Sequence, residues 1–180
     1  MPSYIALLRA VNIGKRQVKM ASLRAWLEDE GFTDVETYIQ TGNVKVTTRM
    51  RSAARVEARL EKLLAERCGF EVVCIVFTPE QLRGVLDDAE ALDPPFGKAQ
   101  DQRRYVVFFK DAVPAAHGKE MEAYTPDDER IFARGRAVHV WIRGSFHDAK
   151  VFGKFGKELA SGTNRDLKVV RTLVEKWGAA

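Results

Sequence analysis

The order of apolar and amphipathic segments constrains the fold of this 180-residue chain more than any other feature. Short apolar or β-branched runs are typical of strands, whereas apolar residues that recur once per helical turn indicate a helix. In the first part of the chain these patterns predict, in order, a strand at 3–11, a helix at 20–30, strands at 35–40 and 44–48, a helix from 52 and a strand at 71–77. This βαββαβ order is that of the ferredoxin-like plait.

Two predicted helices carry clear start signals. Ser52 can cap the helix that follows it. Thr78 can act as an N-cap, Pro79 suits the first helical position, and Gln81 can reach back to the backbone of the cap. We therefore expect this later helix to begin at Thr78 and to reach residue 88.

The same order of elements begins again after residues 92–102, a segment with Pro94, Pro95 and Gly97 that is typical of a linker or an exposed loop. The later elements are a strand at 104–110, a short helix after Pro114, and strands at 130–133 and 137–143. Helical segments follow to the end. No sequence identity between the halves is obvious, so element order alone predicts the duplication.

We therefore predict an α+β fold in which two ferredoxin-like halves of the βαββαβ type pack into one compact unit. The predicted parts are an N-terminal subdomain at 1–77, a helix and linker at 78–102, and a C-terminal subdomain with a terminal helix at 103–180. Each sheet of such a plait leaves one face to cover, and covering it with the other half or with a helix produces a crevice between the halves. This crevice is where we expect a ligand.

The composition argues against a membrane protein and against a metal site. No apolar run approaches the about 20 residues that cross a bilayer, and the N-terminus has no basic segment followed by a signal-peptide core. We therefore expect a cytoplasmic protein without a membrane role. Cys68 and Cys74 lack zinc or dithiol spacing, and the three histidines show no metal spacing, so we predict neither a metal nor a cofactor.

Positive charge is concentrated near the N-terminus, although the net charge is only +4. Residues 1–27 contain no acidic residue, and their basic residues are Arg9, Lys15, Arg16, Lys19 and Arg24. The stretch from Ser145 on adds seven Lys or Arg residues against four acidic residues. If these two basic ends of the chain meet, they form a positive face that suits phosphate-bearing partners. Solubility alone explains the same charge, so both interpretations stay open.

The end of the first predicted strand combines an arginine with a polar turn. Arg9 lies within an apolar run, and a guanidinium is rarely buried without a carboxylate, carbonyl oxygens or a ligand. Strand alternation directs its head group toward the strand end beside Asn12. Gly14 can open the turn so that backbone N–H groups and Lys15 face an anion. A structural ion pair and a solvated loop explain the same residues.

The stretch TYIQTGNV predicts a hairpin with more polar groups than a turn requires. Thr41-Gly42-Asn43 favours a turn, because Gly or Asn tolerates positive φ. Alternation places Tyr38 and Gln40 on the same side of the preceding strand. Asn43 can satisfy backbone groups within the turn, which is its purely structural interpretation.

The N-terminal sequence resembles a known family. YIALLRAVNIGKRQVKMASLRAWLEDEGFTDVETYIQTGNV, from Tyr4 to Val44, is similar to the opening signature of the uncharacterised bacterial family called domain of unknown function 1697. The resemblance covers nearly the whole chain. It implies a two-part α+β fold of plait-like halves and no established activity.

Short family patterns carry this resemblance. The residues that match the family's LLRGIN and its glycine-rich turn are Leu7, Leu8, Arg9, Asn12 and Gly14. The family's TYIQSGN is similar to residues 37–43. Ala10 stands where the family commonly has glycine, and Lys15 stands where a second turn glycine is common. The C-terminal pattern TTRNWNTVTKL keeps Arg165 here, whereas Asp166 and Leu167 depart from it.

Our first prediction for function is a non-catalytic module that binds an anionic ligand, either a nucleotide or a nucleic acid, at the crevice between the subdomains. The candidate ligand-binding residues are Arg9, Asn12, Lys15, Tyr38, Gln40, Asn43 and Arg165. One alternative is an enzyme of unrecognised class acting on a phosphorylated or anionic small molecule, with Tyr38 or Lys15 transferring a proton and Arg9 as an electrostatic clamp. Another is a protein-interaction module. We expect a monomer or a weak homodimer.

Overall fold

The computed structural model describes residues 1–98 and 100–179, which form two compact units. Unit 1 comprises Met1–Arg83 together with the residues from Leu173 on, and unit 2 comprises Gly84–Thr172. Each unit contains one four-stranded antiparallel sheet with its own helices. The predicted α+β class with two ferredoxin-like halves is confirmed.

Unit 1 folds in the order βαββαβ. Its elements are β1 (Ser3–Leu8), α1 (Met20–Asp29), β2 (Thr33–Tyr38), β3 (Asn43–Thr47), α2 (Ala53–Cys68) and β4 (Cys74–Phe77). The strand order β2-β3-β1-β4 is that of a plait, with β1 in a central position. Alternation along β1 places Tyr4, Ala6 and Leu8 in the core cluster, together with Leu27 of α1 and Leu60 of α2.

Unit 2 repeats this order. The elements that follow β4 along the chain are α3 (Pro79–Ala91), β5 (Gln102–Phe108), α4 (Ala115–Ala123), β6 (Glu129–Arg134), β7 (Ala137–Arg143), α5 (Val151–Lys154), α6 (Gly156–Leu159), β8 (Thr163–Asp166) and α7 (Leu167–Trp177). The strand order is β6-β7-β5-β8. On one face of this sheet Val107, Ile131 and Val140 form a core cluster with Met121 of α4.

The strand β8 corrects the expectation of helical segments up to the C-terminus. Its sequence, TNRD, has no apolar residue, so it lacks the alternation that indicates a half-buried strand. It nevertheless pairs with β5 at one edge of the sheet, with Val106 opposite Arg165. With β8, the second half completes the βαββαβ order.

The boundaries of the two units differ from the predicted division at residues 77 and 102. They lie inside α3 and α7, since unit 2 begins at Gly84 and ends at Thr172. Both helices are amphipathic along their length, so no shift in composition marks the boundaries.

The predicted helix starts are present. Ser52 accepts a hydrogen bond from the Arg55 N–H at the start of α2. At the start of α3 the Gln81 N–H donates to Thr78 Oγ1 (3.1 Å), and the Thr78 N–H donates to Gln81 Oε1 (2.9 Å). This reciprocal pair is a capping box.

Across the described residues, no helix has both the length and the apolar character needed to cross a bilayer.

Replacing Thr78 with Ala removes the cap acceptor of α3 and leaves the Gln81 N–H without its partner. We expect the free energy of unfolding to fall by about 1 kcal/mol. Urea denaturation followed by circular dichroism measures this change. The control is Ser161→Ala at an exposed serine outside the helices; an equal loss in both variants contradicts the capping role.

Candidate functional site

Two loops of unit 1 lie side by side and are joined by hydrogen bonds. They are residues 9–18, which follow β1, and residues 39–42, which connect β2 to β3; together they are called the loop pair here. Asn12 Nδ2 donates to the Gln40 carbonyl oxygen at 2.6 Å. The Leu8 N–H donates to the Gly42 carbonyl oxygen at 2.7 Å. Antiparallel pairing places the end of β1 beside the start of β3, so the two loops lie at the same end of the sheet.

The first loop begins earlier than predicted. β1 ends at Leu8, so Arg9 lies just beyond the strand instead of inside it, and its side chain is half-buried. The strand ends there because Ala10 has a positive φ of 54°, which is incompatible with extended pairing. The Arg9 N–H donates to the Val73 carbonyl oxygen at 2.9 Å.

Arg16 holds the first loop closed, a role that the sequence did not reveal. Its Nε donates to the Ala10 carbonyl oxygen (2.7 Å), and its Nη2 donates to the Glu71 carbonyl oxygen. The guanidinium carbon lies 4.4 Å from the centroid of the Phe70 ring. No motif marks these partners, because backbone carbonyl groups are present at every residue.

Both asparagines of the predicted site hold the loops in place. Asn12 Oδ1 accepts from the Val18 N–H at 2.8 Å, so both ends of the Asn12 amide are engaged. Asn43 is fully buried, and its Nδ2 donates to the Tyr38 carbonyl oxygen (3.0 Å) and to Thr41 Oγ1 (3.1 Å). These contacts match the structural interpretation of Asn43, and we assign both residues a positioning role.

The hairpin turn is longer than predicted, which changes the place of Gln40. β2 ends at Tyr38, and the φ of 50° at Ile39 turns the chain. Gln40 therefore lies in an exposed turn, and the prediction that it shares a strand face with Tyr38 is wrong. Tyr38 is half-buried, with the Lys176 ammonium 5.8 Å from its ring centroid. Lys15 lies exposed in the first loop.

Backbone strain is concentrated in the loop pair. Of the four non-glycine residues with positive φ in the described part of the chain, three lie here: Ala10 (54°), Asn12 (56°) and Ile39 (50°). Asn tolerates this conformation, whereas Ala and the β-branched Ile are strained in it. Strained backbone persists where the surroundings impose it, and it clusters at ligand-binding and catalytic sites.

Each loop also exposes a large apolar side chain that the predicted site did not include. Ile13 is 65 % exposed and Ile39 is 42 % exposed, which puts both among the exposed large hydrophobic residues of the described chain. The sequence signal that could have identified these two side chains is an isoleucine within an otherwise polar turn. The loop pair thus presents aliphatic, amide and ammonium groups together.

Arg165 lies in unit 2, whereas the other six predicted site residues lie in unit 1. Its guanidinium is buried and donates to Thr163 Oγ1 (2.8 Å) and to the Asn164 carbonyl oxygen (2.9 Å). Burial lowers the pKa of Arg165 to about 10. Its predicted participation in one site with the loop pair stays a prediction.

A family model described as a protein of unknown function (DUF1697) matches residues 1–139. The chain belongs to the DUF1697 family. This confirms the resemblance seen in the sequence. The DUF1697 match includes the whole loop pair, whereas Arg165 lies outside the matched residues.

The comparison with solved structures supports the fold of this DUF1697 protein. The structure of the conserved bacterial protein SP0830 from Streptococcus pneumoniae matches with a TM-score of 0.76 and 23 % sequence identity. The alignment covers 98 % of each chain. At this identity the similarity shows a shared fold and carries no assignment of activity. No curated protein matches the chain in sequence.

Substitution of Gly42 tests whether the two loops pack closely. A Cβ at Gly42 would lie 2.7 Å from Leu8 Cβ and 2.7 Å from Val11 Cγ2, and its φ is +88°. We expect Gly42→Ala to destabilise unit 1 by about 2–5 kcal/mol, from positive-φ strain plus overpacking. Gly69→Ala is the matched control, because Gly69 also has positive φ but open space around it. Its cost should be only about 1–2 kcal/mol, and equal values from urea denaturation contradict the close packing.

Substitution of Ala10 tests whether its positive φ strains the backbone. Ala10→Gly removes the strain of positive φ, which raises the free energy of unfolding by about 1–2 kcal/mol. Glycine also makes the unfolded chain more flexible, which lowers the free energy of unfolding by about 0.4–1 kcal/mol. We expect a net increase in the free energy of unfolding. Ala25→Gly, at an exposed position within α1, is the control and should lower stability by about 0.5–1 kcal/mol. A decrease of similar size in both variants argues against strain at Ala10.

Proposed function

We propose that this DUF1697 protein binds an anionic ligand, a nucleotide or a nucleic acid, at the loop pair. The observation that carries the proposal is the concentration of strained backbone at Ala10, Asn12 and Ile39, in two loops that hydrogen bonds hold together. Strain of this kind costs free energy, and in proteins it clusters at sites that bind ligands or catalyse reactions.

The side chains of the loop pair supply the groups that a nucleotide requires. Lys15 offers an ammonium for phosphate, and the Gln40 amide can donate to and accept from the edge of a base. Ile13 and Ile39 offer apolar surface against a base or a sugar. Arg9 adds positive charge at the start of the same loop. Asn12 and Asn43 position these groups.

Exposure favours binding over catalysis at this site. Proton transfer by a lysine or a tyrosine is most effective where burial or neighbouring charges tune the pKa of the group. Of the two groups that the enzyme alternative names, Lys15 is exposed on the surface of unit 1 and Tyr38 is half-buried. The alternative of an enzyme with Lys15 as a proton-transfer group is therefore less well supported.

A protein-interaction role is the second candidate. The exposed side chains of Ile13 and Ile39 support it, because exposed apolar groups grouped with polar ones often mark contact surfaces. The two candidates differ in their dependence on charge. Loss of the Lys15 ammonium weakens binding of a nucleotide, whereas an apolar protein contact depends on the isoleucines.

The test is a titration of the full chain with nucleoside mono-, di- and triphosphates by calorimetry, and with short single-stranded RNA and DNA by fluorescence anisotropy. We expect Lys15→Gln to weaken binding about tenfold, the usual loss for a charge-assisted contact. For a nucleic acid, the slope of log K against log salt should also decrease by about one.

The matched control is Lys62→Gln, because Lys62 is an exposed lysine of α2 in the same unit but outside the loop pair. An equal loss in both variants indicates nonspecific electrostatics and contradicts the proposed site. Absence of binding by every ligand contradicts the proposed function.

A further inference from the structure

Unit 2 contains a pocket that is separate from the residues of the loop pair. Its volume is about 450 Å³. It is lined by residues 100–104 at the start of β5, by Gly144 after β7, and by residues 166–168 and Arg171 at the start of α7. This volume lies in the range of sites for small molecules, about 300–1,000 Å³.

The pocket is rich in positive charge. Its lining includes Arg103, Arg104, Lys168 and Arg171 and only two acidic residues. Both acids are engaged with protein groups. Asp101 Oδ1 accepts from Arg143 Nε at 3.4 Å, and Asp166 Oδ1 accepts from the Lys168 N–H at 2.7 Å. The lining thus has four basic side chains against two acidic ones, and Glu90 outside it pairs with Arg171.

Two of the arginines have protein partners, one half-buried and one in a surface ion pair. Arg104 Nη2 donates to the Ala89 carbonyl oxygen, and its guanidinium lies 3.8 Å from the ring centroid of Trp141. Arg171 Nε donates to Glu90 Oε1 at 2.8 Å. This hydrogen bond is the main cause that lowers the pKa of Glu90. Since a guanidinium has five N–H donors, each arginine retains others for a ligand.

The other two cations are exposed and have no carboxylate partner among residues 1–98 and 100–179. Arg103 precedes Arg104 on β5, and Lys168 lies in the first turn of α7. The partial positive charge of a helix N-terminus adds to the potential there. Arg103 and Arg104 are consecutive on β5, so their side chains point to opposite faces of the sheet. Arg104 shares its face with Gln102, and Lys168 and Arg171 lie one turn apart on α7. These residues come from two elements that are distant in sequence.

Gln102 adds an acceptor that lacks a donor. Its Nε2 donates to the Gly97 carbonyl oxygen at 3.2 Å. Its Oε1 is buried and has no hydrogen-bond partner within the described chain. Buried oxygens usually have a donor, so this oxygen is a candidate acceptor for an N–H or O–H group of a molecule in the pocket.

We propose that this pocket binds a small phosphate monoester that also carries a hydroxyl or amino group, such as a sugar phosphate or a nucleoside monophosphate. Arg104, Lys168 and Arg171 hold the phosphate, and Gln102 Oε1 accepts a hydrogen bond from the hydroxyl or amino group. The site is independent of the loop pair, because all of its residues belong to unit 2.

The test is calorimetric titration of the full chain with inorganic phosphate, ribose 5-phosphate and adenosine 5′-monophosphate. We expect the two esters to bind more tightly than inorganic phosphate. The variant Lys168→Gln should weaken ester binding about tenfold. The matched control, Lys157→Gln, removes an exposed charge of unit 2 outside the pocket and should leave binding unchanged.

A second variant tests the orphan acceptor. Gln102→Met keeps the length of the side chain and removes its oxygen. It should weaken binding of the two esters and leave binding of inorganic phosphate unaffected. A misfolded pocket would instead lose binding of all three ligands. Unchanged circular dichroism and thermal stability exclude misfolding.

Four results overturn the proposal: no binding of either ester, an equal loss in Lys157→Gln, no effect of Gln102→Met on ester binding, or binding that Lys15→Gln abolishes while Lys168→Gln does not. The last result places the ester at the loop pair, so failure of this site and failure of the proposed function are distinguishable.

Discussion

The side-chain amide of Asn12 connects the two loops that carry the proposed ligand site. Its nitrogen donates to the Gln40 carbonyl oxygen in the hairpin, and its oxygen accepts from the Val18 N–H at the end of its own loop. One side chain thus fixes the path of the first loop and its distance from the hairpin. Without this brace, Ala10 and Ile39 could relax from positive φ toward conformations that cost less. The geometry of the exposed groups therefore depends on a residue that is itself occupied by the protein.

Most of the fold could be predicted because its signals are local. The apolar runs of β1 and β7, the helical stripe of α2 and the capping box of α3 each depend on residues close in sequence. β8 was not predictable from these signals, because TNRD is polar and is a strand only through its pairing with β5. The limits of the units were also hidden, because each lies within a continuous helix.

The candidate sites were less predictable because their geometry is set at a distance. The sequence did associate Arg9 and Asn12 with the hairpin, but it gave Gln40 a strand position that the φ of Ile39 prevents. Neither alanine nor isoleucine signals positive φ. Only the glycine that the family commonly has at the position of Ala10 indicated such a conformation. The pocket of unit 2 combines β5 with α7, which are separated by more than half of that unit, and no motif spans them.

The two proposed sites hold positive charge in different ways, and this difference determines what each can select. Lys15 is a flexible, exposed cation on a rigid loop, so salt screens it within a Debye length of about 8–10 Å and it contributes a charge without a fixed direction. Arg104 is half-buried between a carbonyl group and an indole ring, so it loses little side-chain freedom when a ligand binds. A directed guanidinium discriminates by shape, whereas an exposed ammonium discriminates mainly by charge. The loop pair therefore suits a ligand with many phosphates, and the pocket suits a single phosphate group at a defined place.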